Sequence, residues 1–362
     1  MKIVIARTDN IGDVVLTLPM ASILKQHYPN AEIIVLARRY VQAVVEAHPA
    51  VDRFIDWESL NAKSDKEIVQ AFKELKADMI LHVFPVKRIA QCAFKARIPV
   101  RIGTTRRWYN WLYCNKRVSF SRKNSGLHEA QLNLKLLKAL DISTQYALPE
   151  IIEMSQLNAC SDTPEKVKTL LASNKFNLII HPGSNGNSKE WPLSSFQALL
   201  KALPKDKFNI IITGSEAENQ RFSALAESCP EAMNSMGKLS LNELISLLGA
   251  ADGLVVNSTG PLHIASALGI KTLGLFPSQP GKSPKRWGPI GKQAGYLTAS
   301  ICEACRQNSS SFRKGRRGGI FKSSLALLFQ RRELKPKMPC ICMQSITVPQ
   351  VKEALMRWLS SR

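Results

Sequence analysis

Acidic residues are scarce in this chain: 28 Asp and Glu stand against 50 Lys and Arg in 362 residues, a formal net charge of +22. That imbalance favours an anionic partner, whether nucleic acid, a phosphorylated small molecule or an acidic membrane surface. No helix-turn-helix, zinc-finger or RNA-binding signature accompanies the charge, so no specific nucleic acid is expected as a partner. A basic nucleic-acid-binding protein is nonetheless the rival reading from a different class. Long apolar runs are missing too, and residues 1–19 lack the charged n-region, apolar h-region and small-residue cleavage site of a signal peptide. A cytoplasmic location is therefore expected. Eight cysteines in so long a chain do not make a disulfide scaffold, and Cys92, Cys114, Cys160 and Cys229 are scattered. Only Cys302-x-x-Cys305 and Cys340-x-Cys342 form a pattern, compatible with a zinc knuckle, although reduced thiols or a local disulfide are simpler and no metal is assigned. Neither G-x-G-x-x-G nor a ribose-binding acid follows the first strand-like run in the way a dinucleotide enzyme requires.

What is present is regular alternation. KIVIAR, AEIIVLA, RFIDW and ADMILHVF read as buried strands, separated by helical patterns such as VVLTLPMASILKQHY and KEIVQAFKEL. A helical stretch, LHEAQLNLKLLKALDI, leads into a polar, Pro-containing segment at 148–164, read as an interdomain linker. The alternation then restarts with FNLIIHPG, FNIIITG, DGLVVN and KTLGLF. This predicts an α/β chain of two Rossmann-like, doubly wound domains, 1–160 and 161–345, followed by a helix within 346–362. The basic residues gather in two places: 85–123 holds eleven Lys or Arg and no acid, and 306–339 holds ten against the single acid Glu333. The second stretch is an insert whose apolar run, flanked by positive charge, could lie on anionic lipid or pack on its own domain.

Three strand-to-helix junctions carry candidate chemistry, because backbone amides and the macrodipole at a helix N-terminus favour anions. In RTDNIGD, Gly12 allows close approach of backbone to a ligand, and Asp13 at the head of a helix is either a base or a cap. In HPGSNGNSKEWP, Ser184, Asn185 and their neighbours offer amides and hydroxyls, and Lys189 a mobile positive charge suited to phosphate. In NSTGPLHIASALG, Ser258, Thr259 and Gly260 open another helix, and His263 follows Thr259 by one turn. The stretch 87–123 interleaves cations, Arg101, Arg106 and Arg107 among them, with Trp108, Tyr109, Trp111 and Tyr113. It suits a phosphorylated, carboxylated glycolipid, with aromatics over sugar faces, or is an ordinary helical face with core aromatics.

Together, R-x-D-N-I-G-D-V-V-L-T-x-P, HPGS with KEWP, GSEAENQR, STGPLH, and SPKRWGPIG with CMQSI resemble glycosyltransferase family 9, the heptosyltransferases of lipopolysaccharide core assembly. The resemblance implies a GT-B architecture with a central cleft, the acceptor on the first domain, the nucleotide sugar on the second, and the last helix packing back onto the first domain. It implies that Asp13 is the general base, that Gly12, Arg101, Arg106 and Arg107 lie on the acceptor side, and that Lys189 neutralises the donor diphosphate. Glu218 falls where an acid holds the nucleotide ribose, and Ser184, Asn185, Ser258, Thr259, Gly260 and His263 fall on the donor side. Many family members have Asp where this chain has Ser258, so another hexose or heptose, or an altered activity, is the alternative to a heptose. The reaction implied is an inverting transfer from an ADP-activated sugar, with no cofactor, onto a lipopolysaccharide inner-core glycolipid at the inner face of the cytoplasmic membrane. No Asp-x-Asp triplet occurs in the chain, so the reaction is expected to need no metal.

Overall fold

The computed structural model describes residues 1–123, 125–159, 162–186, 188–279, 281–301 and 341–360. The basic insert 306–339 and Cys160, Cys302, Cys305 and Cys340 lie outside them, while Cys342 is described and buried. The apolar runs of the first half form β1 (Lys2–Ala6), β2 (Glu32–Ala37), β3 (Arg53–Asp56) and β4 (Met79–His82), joined by β5 (Val100–Thr104) and β6 (Lys116–Val118). They pair parallel in the order β3-β2-β1-β4-β5-β6. The second half repeats the plan with β7 (Phe176–His181), β8 (Phe208–Ile212), β9 (Met233–Asn234), β10 (Gly253–Asn257), β11 (Lys271–Phe276) and β12 (Ala294–Thr298). Their order, β12-β11-β10-β7-β8-β9, is the same winding counted from β7. Central strands such as β7 and β10 are buried end to end, because helices cover both faces of each sheet.

In such a sheet the winding reverses between two central strands, and ligands bind beyond their carboxyl ends. Those strands are β1 and β4 in the first half and β7 and β10 in the second. Three of the four ends run into the loops singled out by sequence, and the fourth, β4, ends at His82 and leads to Val83 and Phe84.

Several local expectations change. VVLTLPMASILKQHY is two helices, Ile11–Val15 and Pro19–His27, because Pro19 has no N–H with which to continue the first. The segment 148–164, expected as a linker, contains the helix Leu148–Met154, whose last carbonyl accepts from Ser22 Oγ at 3.0 Å and lies 3.0 Å from His48 Nε2. The last helix, Val348–Ser360, expected against the first domain, makes its described contacts with the second half, on the helix Leu193–Ala202 and the sheet beneath it. Trp358 stacks on Phe176 with ring centroids 6.2 Å apart, and Val351 and Leu355 are buried in the core around β7 and β8.

Candidate active site

The short helix after β1 presents Asp13 in its first turn, and Asn10, not Asp13, occupies the cap position. The Asp13 carboxylate receives instead the Arg7 guanidinium, Nη2 to Oδ1 at 2.5 Å, and does not cap the helix. Arg7 is 3% exposed and held on every side. Its Nε donates to Asp9 at 2.7 Å and its Nη1 to Asn133 Oδ1 at 3.1 Å. Nη2 also lies 3.8 Å from Glu129. Glu129, 1% exposed, bonds Arg122 and, across the cleft, Arg286 from the second half at 2.9 Å. Three guanidiniums thus face three carboxylates, which is how Arg7 and Glu129 remain buried with their charges. Burial pushes the Asp9 carboxyl up to about 6; Arg7 pulls it down and Asp13 adds to the rise.

On the other wall, the helix Gly260–Ala267 has at its cap position Thr259, whose side chain makes no capping bond, and Thr259 and Gly260 border the cleft. His263 packs so close to the first half that a Cβ on Gly12 would lie 2.7 Å from its ring. Burial holds its imidazole down to about 3 and therefore neutral, with Nδ1 unpartnered among the described residues. Glu218 closes a capping box with Ser215 on the helix Glu216–Glu227 and accepts the Asn185 amide at 3.1 Å. Burial pushes this carboxyl up, but the neighbouring His181 ring and these amides outweigh it and hold it below the ordinary value. Gly183 is required for that contact, since a Cβ there would meet Glu218 Oε1 at 1.9 Å. Asn257 ties the two loops together, its amide donating to the Pro182 carbonyl at 2.6 Å and its Oδ1 accepting the Trp191 amide at 2.9 Å.

Three cavities line the cleft. The first, about 470 Å³, is bounded by Gly12, Tyr40, Asn185, Glu218, Thr259 and Gly260. The second, about 260 Å³, is bounded by Gly12, Asp13, Ser258, Thr259, Gly260 and His263. The third, about 500 Å³, is walled by Asp13, His82, Arg106, Arg107, Arg122 and Arg286. Asp13 and Trp287 are shared by the second and third, so the carboxylate stands where two chambers meet. Nine of the sequence-selected residues besides Asp13 are thereby gathered around one cleft. Gly12, expected on the acceptor side, borders the two cavities that hold the candidate donor residues. Three others do not face these cavities. Ser184 is fully buried and bonded to Glu190 within its own loop, and Lys189 is half-buried in the same loop. Arg101 braces β5, donating to the Tyr113 carbonyl at 2.8 Å and to that of Ile98, because it lies on the strand and not at its end.

The sequence profile of glycosyltransferase family 9 (heptosyltransferase) matches residues 66–315, more than half of the chain. The protein belongs to glycosyltransferase family 9. It is 28% identical over 300 residues to a Haemophilus influenzae protein provisionally named a glycosyltransferase, covering 80% of this chain and 86% of that one. It is 26% identical over 300 residues to lipopolysaccharide heptosyltransferase 2 of Escherichia coli, covering 78% and 85%. The solved E. coli ADP-heptose lipopolysaccharide heptosyltransferase II superposes with a TM-score of 0.74 at 19% identity, over 100% of this chain and 99% of that one. The fold of the family 9 enzyme is thus GT-B, two Rossmann-like halves facing a cleft.

Sequence reading passed over part of this glycosyltransferase's cleft. Arg7 and Asp9 lie inside the first motif, and Glu129 and Asn133 within the helical stretch LHEAQLNLKLLKALDI, without a role assigned by sequence. The signal was available: two polar residues four apart on an otherwise apolar helical face mark a place where something charged is met.

Proposed function

We propose that this enzyme transfers a heptose, or a closely related sugar, from an ADP-activated donor to a lipopolysaccharide inner-core glycolipid, inverting the anomeric centre. The observation that carries this is the position of Asp13, on the wall shared by the second and third cavities. The donor nucleotide would occupy the first cavity, its diphosphate and sugar the second, and the acceptor the third. Asp13 would take the proton of the acceptor hydroxyl as that oxygen attacks the anomeric carbon. The bond to the diphosphate breaks on the opposite face, and its electron pair leaves with the nucleoside diphosphate. Negative charge grows on that leaving group beside the helix start at Thr259 and Gly260, with Lys189 as a further cation able to swing from its loop. Neutral His263 would donate a hydrogen bond to a phosphate or sugar oxygen. Ser258, facing the second cavity, supplies a hydroxyl where many relatives place a carboxylate, and so bears on which sugar is accepted.

The relatives' names, which specify ADP-heptose and lipopolysaccharide, support the donor and acceptor, and the basic wall of the third cavity suits the acceptor's acid groups. An acceptor of this kind places the enzyme at the inner face of the cytoplasmic membrane. No helix among the described residues is long and apolar enough to cross a membrane. The test is a panel of nucleotide sugars led by ADP-heptose, with truncated lipopolysaccharide cores, read by nucleoside diphosphate release, acceptor mass and anomeric configuration, with and without a chelator. Acceptor-dependent, chelator-resistant inversion is expected. Retention, metal dependence or no transfer from any donor would overturn the corresponding part.

A further inference from the structure

Five large hydrophobic side chains are exposed within residues 84–112, and four of them crowd one face. Trp108 is 65% exposed, Leu112 60%, Trp111 58% and Phe94 45%. They belong to two packed helices, Lys87–Lys95 and Trp108–Tyr113, joined by the Phe94–Tyr113 ring contact at 5.8 Å. Cations lie on these rings: Lys87 sits 5.0 Å from the Trp108 centroid and Arg117 4.7 Å from that of Trp111. No carboxylate occurs between residues 85 and 123, and the nearby Asp65 is engaged by Arg88 at 2.8 Å. Exposed aromatics of this size on a soluble surface are unusual without a partner, and indoles rimmed by lysine and arginine match the boundary between headgroups and acyl chains.

We propose that this face docks on an anionic lipid bilayer, with Trp108, Trp111 and Leu112 entering the interface and Lys87, Arg107, Lys116 and Arg117 meeting the headgroups. Two features favour lipid over a protein partner. The rim carries only positive charge, as an anionic headgroup layer requires. The face also continues into the third cavity: Phe84, Pro85, Arg106 and Arg107 wall that cavity, and Tyr109 on the exposed helix donates to the Pro85 carbonyl at 2.7 Å. A glycolipid whose tail stays in the bilayer could then present its sugar to Asp13 from the side on which the enzyme rests. In that purpose the inference depends on the acceptor proposed above, whereas the docking itself needs neither donor nor acceptor.

The experiment is co-flotation of the full-length protein with vesicles of phosphatidylethanolamine and phosphatidylglycerol, against vesicles of phosphatidylcholine. A Trp108→Ser, Trp111→Ser, Leu112→Ser variant is compared, its fold checked by circular dichroism and melting temperature. Anionic vesicles should bind wild type well and phosphatidylcholine poorly, and the variant should bind at least about tenfold more weakly. Brominated acyl chains should quench tryptophan fluorescence in wild type and not in the variant. Equal binding of both proteins, or binding abolished by salt with no bromine quenching, would overturn the proposal. So would a wild-type dimer that the variant loses, since a second copy of the chain would then cover the face. Failure of sugar transfer with vesicle binding intact would count against the function alone.

Discussion

At the scale of single residues, Arg7 is what holds Asp13, the proposed base, in place. Its planar fork reaches Asp9, Asp13 and Asn133 simultaneously, a geometry that lysine, a point charge, cannot reproduce. Sharing Arg7 with Asp9 and Glu129 dilutes its hold on Asp13, so the carboxylate is oriented without being wholly neutralised. Arg7→Lys should therefore keep the fold and the donor KM while lowering kcat roughly ten- to a hundredfold, because the loss falls on positioning in the transition state. Steady-state kinetics with saturating acceptor would check it. A change confined to KM would mean that Arg7 binds substrate and does not position the base.

At the scale of elements, the central strands were legible because burial on both faces writes them as apolar runs, as in ILH at the end of β4 and LVVN in β10. β5, β6, β9 and β12 were not, since VRIGT and KRV are interrupted by arginine or lysine and MN is only two residues long. The junction loops were legible from glycine and small polar residues after a strand. What could not be read was which side chains in them face the cleft, because burial of Ser184 or bracing by Arg101 depends on tertiary contacts. Gly12 shows the same dependence: it is small because His263, 251 positions away, packs against it across the cleft. Gly12→Ala should destabilise the protein by about 1–3 kcal/mol through overpacking. Adding His263→Ala should restore much of that, as thermal or urea unfolding would register. Equal unfolding of Gly12→Ala and wild type would show that the two helix ends are not in contact.

At the scale of the whole molecule, the two halves are fastened by buried polar groups as well as by apolar surface: Glu129 to Arg286, and His128 to the Gly288 carbonyl at 3.0 Å. Burial holds His48, His82, His128, His181 and His263 below the ordinary histidine value, to about 4 for His82 and His128 and about 3 for His263. In the unfolded chain each takes up a proton near pH 6.5, so unfolding absorbs protons below that value and stability falls as pH falls. Asp9 acts in the opposite sense, since its folded value is raised, but it is one group against five. By pH 5 each of His82, His128 and His263 should have withdrawn about 2 kcal/mol, so the melting temperature should drop markedly between pH 7.5 and 5. A flat profile over that range would mean that these imidazoles reach solvent.

In the proposed mechanism Asp13, where the two halves meet, removes the acceptor proton and does little else. Calorimetric titration of donor into Asp13→Asn, beside single-turnover transfer by the same protein, tests this most directly. That role requires donor affinity within a few-fold of wild type and transfer slower by about 10²–10⁴. Transfer at the wild-type rate would contradict it, and so would a loss of rate fully explained by lost donor binding.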